Sequence, residues 1–200
     1  MKVALFGGAF DPPHLGHQRV GQEMISQKVV DEVWYVPVFE HPWAERLNKW
    51  EMEGYQQRQE MVELILFPGA KLAEYKDVSF AYPTLEYFSQ KFPAHEFSWV
   101  IGSEYLPSFK DWKFADRVLA EFGVYVYPRA GFPLQPLMRG MTALQGFPEM
   151  NISSTQFREK YQAGLKAAGQ EAGDQAAARL VDKKVLRYIK ESKLYMNKEE

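Results

Sequence analysis

Short apolar runs alternate along this chain with segments whose apolar residues recur every three or four positions. The alternation predicts strands followed by helices. Val3-Ala4-Leu5-Phe6 reads as a first strand, closed by the turn Gly7-Gly8-Ala9-Phe10-Asp11-Pro12-Pro13. From Leu15 to Lys28, Val20, Met24 and Ile25 fall at helical spacing. Val33 to Val38 predicts a second strand. Glu51 to Leu66 predicts a helix through Met52, Tyr55, Gln59 and Val62, ended by Phe67-Pro68-Gly69. Lys71 to Val78 reads as a third strand, Thr84 to Lys91 as a short helix, and Phe97 to Ile101 as a fourth strand stopping at Gly102. A helix over Asp116 to Glu121 and a fifth strand over Val124 to Tyr127 follow, then a Gly/Pro-rich loop from Arg129 to Pro148. Such alternation implies an α/β fold, a doubly wound parallel sheet of about five to six strands, with a C-terminal helical segment. Ligands in this architecture collect at the carboxyl ends of the strands, which puts His14, His17 and Gly102 on one edge.

Composition narrows the picture. The chain has 200 residues, 46% apolar and 15% aromatic, enough to bury one sizeable core. We expect a single domain over residues 1–200, with 151–200 as its C-terminal helical part. A net charge of −2 without a basic stripe argues against nucleic acid as a partner. No apolar stretch reaches the length of a membrane span and no signal-peptide pattern opens the chain, so no membrane partner and a cytoplasmic setting are expected. Zero cysteines exclude disulfides and thiol catalysis. Ala167 to Ala178, rich in Ala, Gly, Gln and Glu, reads as a mobile or loosely helical surface segment rather than a place of chemistry. Oligomeric state is not encoded in any pattern of the chain.

The candidate chemistry starts at His14-Leu15-Gly16-His17. Glycines such as Gly7 and Gly8 lack a Cβ and let a phosphate approach backbone N–H groups closely. A helix N-terminus beyond Pro12-Pro13 favours anions. Two imidazoles three apart on that helix can donate hydrogen bonds to phosphoryl oxygens. An ordinary helix start with two surface histidines is the bland alternative. A zinc site is another, but with no cysteine and only His41 and His95 besides, ligands are scarce. A second anion site is offered by Asn151-Ile152-Ser153-Ser154-Thr155-Gln156-Phe157-Arg158, where a hydroxyl caps a helix and Arg158 supplies a fork of donors.

The first segment resembles the (H/T)xGH signature of the nucleotidyltransferase superfamily, Gly-Gly-(Ser/Thr)-Phe-Asp-Pro-x-His-x-Gly-His, with Ala9 in place of the hydroxyl residue. Ile152 to Arg158 is similar to the Ile-Ser-Ser-Thr-x-(Ile/Phe)-Arg element of nicotinate or nicotinamide mononucleotide adenylyltransferases. Val100-Ile101-Gly102-Ser103-Glu104 with Trp112 is similar to that family's Ile-Gly-(Ala/Ser)-Asp element and downstream tryptophan, Glu104 replacing the aspartate. Ser79 to Leu85 resembles its Ser-Tyr-Thr-x-(Asp/Asn)-Thr-Leu, keeping Thr84 but departing at Ala81 and Pro83. Thr84 and Trp112 also have plain readings, as a helix cap and as a packed aromatic. Arg58 matches the family's Arg-x-x-Met helix and reads as structural. A helix expected over Leu180 to Tyr195 is similar to its C-terminal Val-x-x-Tyr-Ile-x-x-x-x-Leu-Tyr.

The resemblance spans nearly the whole chain and implies a Rossmann-like fold that moves AMP from ATP to nicotinate mononucleotide, or its amide analogue, in NAD biosynthesis. It implies catalytic His14, His17 and Arg158. It places ATP against Gly7, Gly8, Ala9, Phe10, Gly16, Gly102, Glu104, Ser153, Ser154 and Thr155. It places the pyridine mononucleotide against Thr84, Trp112 and a basic residue, Arg46 or Lys49. Mg2+ would be held mainly by ATP phosphates rather than by a protein site. Another phosphorylated acceptor such as phosphopantetheine, or a silent adenine-nucleotide sensor, is the alternative, the latter suggested by Ala9 and Glu104.

Overall fold

The structure is a computed structural model and describes residues 1–39, 52–77 and 80–196. Six strands, β1 (Lys2–Gly8), β2 (Glu32–Pro37), β3 (Ala70–Leu72), β4 (Glu96–Gly102), β5 (Val124–Tyr127) and β6 (Met141–Ala143), form one parallel sheet in the order β3-β2-β1-β4-β5-β6. The strand order reverses between β1 and β4, so Gly8 and Gly102 end neighbouring strands at the switch point. That is where α/β sheets open a crevice for ligands.

Alternation along each strand builds two apolar layers. Val3 and Leu5 face one side with Trp34, Trp99 and Val126, and meet Leu85 and Phe88 of α3 (Ala81–Lys91) and Val118 of α4 (Ala115–Glu121). Ala4 and Phe6 face the other side with Val33 and Tyr35, and meet Val20 and Met24 of α1 (Leu15–Ser26) and Val62 of α2 (Tyr55–Leu64). Each fully buried Leu, Val or Phe stabilises the fold by roughly 1.5–3 kcal/mol. A third cluster joins Met61 and Ile65, at the back of α2, to Phe157 and Tyr161 of α5 (Ser154–Ala168) and to Val185 and Ile189 of α7 (Lys183–Glu191). α2 therefore couples the C-terminal helices to the sheet.

Several elements differ from the sequence expectation for physical reasons. β3 stops at Leu72 rather than Val78, because after Ala73 donates to Tyr35 O at 2.9 Å the chain turns polar at Glu74, Lys76 and Asp77. α3 starts at Ala81, so Thr84 is not its cap. Pro83 sits in the first turn, where a missing N–H costs nothing. The stretch expected as loop from Arg129 to Pro148 contains the short edge strand β6, too short to show alternation. α2 and α7 are shorter than the expected 51–66 and 180–195, and residue 51 lies outside the described residues. Of the two forms expected for the 167–178 segment, mobile or helical, it takes the helical one. It forms α6 (Gln170–Ala177), packed on α5 with Ala177 fully buried. Among the described residues, no helix is long and apolar enough to cross a membrane.

The α5/α6 contact depends on bare backbone: a Cβ on Gly164 would lie 2.6 Å from Gly173 Cα and 2.7 Å from Ala172 O. Helix propensity alone would make Gly164→Ala stabilising by up to about 1 kcal/mol. We expect the reverse, a loss of about 1–3 kcal/mol from overpacking, read by thermal or denaturant unfolding. A more stable variant would contradict this packing.

Candidate active site

The turn between β1 and α1 makes few backbone bonds of its own, and distant side chains hold it instead. Arg58, buried on α2, donates to Ala9 O and Val38 O at 2.7 Å and to Glu53 O at 2.9 Å. Arg158 donates to Asp11 O at 2.6 Å and Ser154 Oγ to Pro12 O at 2.9 Å. Leu15 N–H donates to Leu180 O at 2.9 Å. Phe10 adopts the left-handed region at φ 50°, which drops its ring between Tyr35 and His17. Asp11 is fully buried, and its Oδ1 accepts from Tyr195 at 2.6 Å and from Glu53 N–H at 3.3 Å. Burial raises the Asp11 carboxyl to about 6, against the pull of Tyr195, Arg158, the Glu53 N–H and Arg58.

The two histidines cap α1 reciprocally. His14 is the N-cap and its Nδ1 accepts from His17 N–H at 3.4 Å, a donor shared with His14 O at 3.0 Å. His17 Nδ1 accepts from His14 N–H at 3.1 Å, and the rings stack 3.6 Å apart. Gly16 is needed here, since a Cβ would lie 2.9 Å from His14 Nδ1. Two consequences follow from this box. Both Nδ1 lone pairs are occupied, so each neutral ring carries its proton on Nε2 and acts as a donor. A zinc ion would find no free imidazole lone pair on His14 or His17, which removes the alternative of a metal shared by these two.

Burial pushes both rings toward the neutral form. His14 falls well below its usual range through desolvation, then His17, then Arg129; His17 falls to about 3 through desolvation and then Arg129. Arg129 is the residue that sequence reasoning missed. It follows β5 directly, on the same sheet edge, and that position was the available signal. Its Nη1 donates to Ile152 O at 2.7 Å and its Nε pairs with Glu104 Oε1 at 3.3 Å. Its backbone N–H donates to Ser103 Oγ at 3.0 Å. Glu104, raised by burial and lowered by Arg129, folds back over Gly102, where a Cβ would overlap its carboxylate. The extra methylene relative to aspartate thus reaches an arginine.

The glycines at the end of β1 serve packing. A Cβ on Gly7 would overlap the Trp99 ring, and one on Gly8 would lie 3.2 Å from Phe10. Close phosphate approach is therefore not what fixes Gly7. Ser153 caps α5 in a box with Gln156, at 3.1 Å both ways, while Arg158 also reaches Thr155 Oγ1 at 3.2 Å. A cavity of about 530 Å³ opens between α1 and the segment that leads to α5, lined by Leu15, Gly16, Gln18 and Arg19 of α1 and by residues 148–152. Trp112 packs one side on Phe109 at 5.0 Å and Tyr105 at 5.5 Å. Thr84 is buried, its hydroxyl donating to Phe80 O at 2.8 Å. Arg46 and Lys49 lie outside the described residues.

A histidine-capped helix at the switch point of a parallel sheet, joined to a second capped helix, is matched by a cytidylyltransferase-like family profile over residues 5–160. The chain belongs to the cytidylyltransferase-like family. A relative named "Probable nicotinate-nucleotide adenylyltransferase" from Anaeromyxobacter sp. (strain K) is 31% identical to this cytidylyltransferase-like chain, over 97% of it and 96% of the relative. The solved nicotinic acid mononucleotide adenylyltransferase of Plasmodium falciparum complexed with NaAD shares the fold, with a TM-score of 0.77, 16% identity and 97% coverage of both chains. The same protein complexed with APC gives 0.76 at 15% identity, over 97% of this chain and 96% of that one. The motif resemblance to mononucleotide adenylyltransferases is thereby borne out across the length of the chain.

Imidazole ¹⁵N spectra should show the His14 and His17 rings as Nε2–H tautomers that do not titrate between pH 8 and 5.5. Titration near 6.5 would contradict the box. Stability should follow. The unfolded chain takes up protons at these rings as pH falls through 6.5 while the folded chain does not, so their contribution is full above 6.5 and is lost as pH falls below it, for His17 down to about 3. Asp11 acts oppositely, since its raised carboxyl favours the folded state below 3.8 and that contribution is lost as pH rises through about 6. His17→Gln should flatten the fall in melting temperature between pH 6.5 and 4.5.

Proposed function

We propose that this chain transfers the adenylyl group of ATP to nicotinate mononucleotide, or to its amide analogue, forming the dinucleotide and releasing pyrophosphate. The observation that carries this reading is the neutral His14–His17 pair, whose remaining polar atoms are Nε2–H donors set at a helix N-terminus on the ligand edge of the sheet. The relatives' names supply the acceptor.

Attack of the mononucleotide phosphate on the α-phosphorus is a single in-line displacement in which positioning and charge stabilisation supply most of the rate. His17 donates to the α-phosphate as negative charge grows there, and His14 donates beside it. Neutral donors avoid the desolvation cost of buried imidazolium and leave the phosphate unprotonated. Arg129, beside both rings, meets the triphosphate charge, and the N-terminus of α5 with Ser154, Thr155 and Arg158 meets the outgoing pyrophosphate. The cavity between α1 and residues 148–152 is the place we assign to the adenine. Trp112 flanks the pyridine, and a basic residue, Arg46 or Lys49, meets the mononucleotide phosphate, while Thr84, buried with its hydroxyl on Phe80 O, serves the start of α3 beside them.

Magnesium enters with ATP. The carboxylates at the site fit an ion carried by phosphates rather than caged by protein: Asp11 is tied to Tyr195 and Glu104 to Arg129, and no third ligand joins either among the described residues. Its chemistry is neutralisation of triphosphate charge.

Pyrophosphate release should appear with ATP plus nicotinate or nicotinamide mononucleotide, and not with phosphopantetheine. His17→Ala should lower kcat by about 10²–10³ with ATP binding retained. Wild-type turnover in that variant, or tight ATP binding with no transfer to any acceptor, would contradict the proposal.

A further inference from the structure

Tyr195 lies 184 positions from Asp11 in sequence, yet its buried hydroxyl donates to Asp11 Oδ1 at 2.6 Å. Its backbone N–H donates to Glu53 Oε1 at 3.0 Å, and Glu53 N–H donates to the same Asp11 oxygen at 3.3 Å. These bonds close a ring of three residues from the phosphate turn, the approach to α2 and the C-terminal turn. The other Asp11 oxygen, Oδ2, is buried without a partner, so the bonds at Oδ1 set how the carboxyl is turned. Tyr195 and Phe10 both adopt left-handed backbone, at φ 57° and 50°. Side chains in that region persist only where their surroundings over-determine them, and such residues cluster at functional sites.

We propose that Tyr195 is a positioning residue for the phosphate turn: its hydroxyl fixes the Asp11 carboxyl, and through it the 9–14 segment that aims His14 and His17. The proposal rests on the adenylyl-transfer reading. The charged and titratable groups facing Asp11 are Arg58 from α2, Arg158 from α5, Glu53 and Tyr195 itself. Tyr195 is the strongest of those favouring the ionised carboxyl. Without its hydroxyl, Oδ1 keeps the longer bond from Glu53 and the carboxyl takes up a proton at higher pH. The proton then weakens the attraction of Arg58 and Arg158, the two arginines that hold the carbonyls of Ala9 and Asp11.

The test is a double-mutant cycle of Tyr195→Phe and Asp11→Asn, with kcat and the KM for ATP measured from pH 5.5 to 8.5. Tyr195→Phe keeps the ring against Phe157, 5.8 Å away, and so keeps the apolar packing. It should lower kcat by roughly tenfold to a hundredfold, leave KM for ATP little changed, and move the acid limb of kcat to higher pH. The double variant should lose no more than Asp11→Asn alone, which should lack that limb. A wild-type acid limb in Tyr195→Phe, losses that multiply in the double variant, or a limb that survives in Asp11→Asn would overturn the proposal. A readout independent of turnover is the ¹⁵N shift of the His14 and His17 rings, which Tyr195→Phe should move. Unmoved shifts would overturn the positioning role, whereas absence of pyrophosphate release in the wild type would overturn only the transfer reading.

Discussion

The turn after β1 cannot satisfy its own carbonyls by joining the sheet, and this constraint organises the rest of the molecule. Residues 9–12 leave β1 before the helix begins, and each exposed carbonyl there would set a negative dipole against a phosphate. Arg58, Arg158 and Ser154 occupy the carbonyls of Ala9, Asp11 and Pro12. These donors come from α2 and α5, which share the third apolar cluster. The cluster of Met61 with Phe157 and Tyr161 is thus what holds the 9–14 turn in its place. Loss of one such buried donor would strand a carbonyl, at about 1–3 kcal/mol each.

The second theme is that the site reaches its electrostatic state by exclusion of charge. A neutral imidazole pair, capped by its own backbone, sits beside one arginine whose countercharge, Glu104, is held partly out of water. The field of Arg129 and the desolvation of both rings act in the same direction on His14 and His17. Donors of fixed tautomer need no reorganisation when charge develops.

Much of this was legible in the sequence where a local rule decides the outcome. Continuous apolar runs gave β1, β2, β4 and β5, Ser153 sits at the cap its position suggested, and His14 lies at the helix start expected of it. What stayed hidden depends on contacts between distant residues. β6 has three residues and no alternation to read. α6 looked loose because its Ala and Gly content is low in apolar bulk, yet those small residues let it approach α5 closely. Gly7 looked like phosphate room, and the space belongs to Trp99. Arg129 was marked only by its place after β5 and Tyr195 only by the C-terminal Leu-Tyr resemblance; the fold brings one beside the histidines and the other to Asp11.

The central claim is that His14 and His17 remain locked in their reciprocal cap while both Nε2–H groups face the phosphates. A crystal structure with a non-hydrolysable ATP analogue tests it most directly. The account predicts Nε2 of each ring within about 2.7–3.2 Å of phosphate oxygens, with both Nδ1 atoms still accepting backbone N–H bonds. Phosphates bound elsewhere, or imidazoles rotated out of the cap, would contradict it.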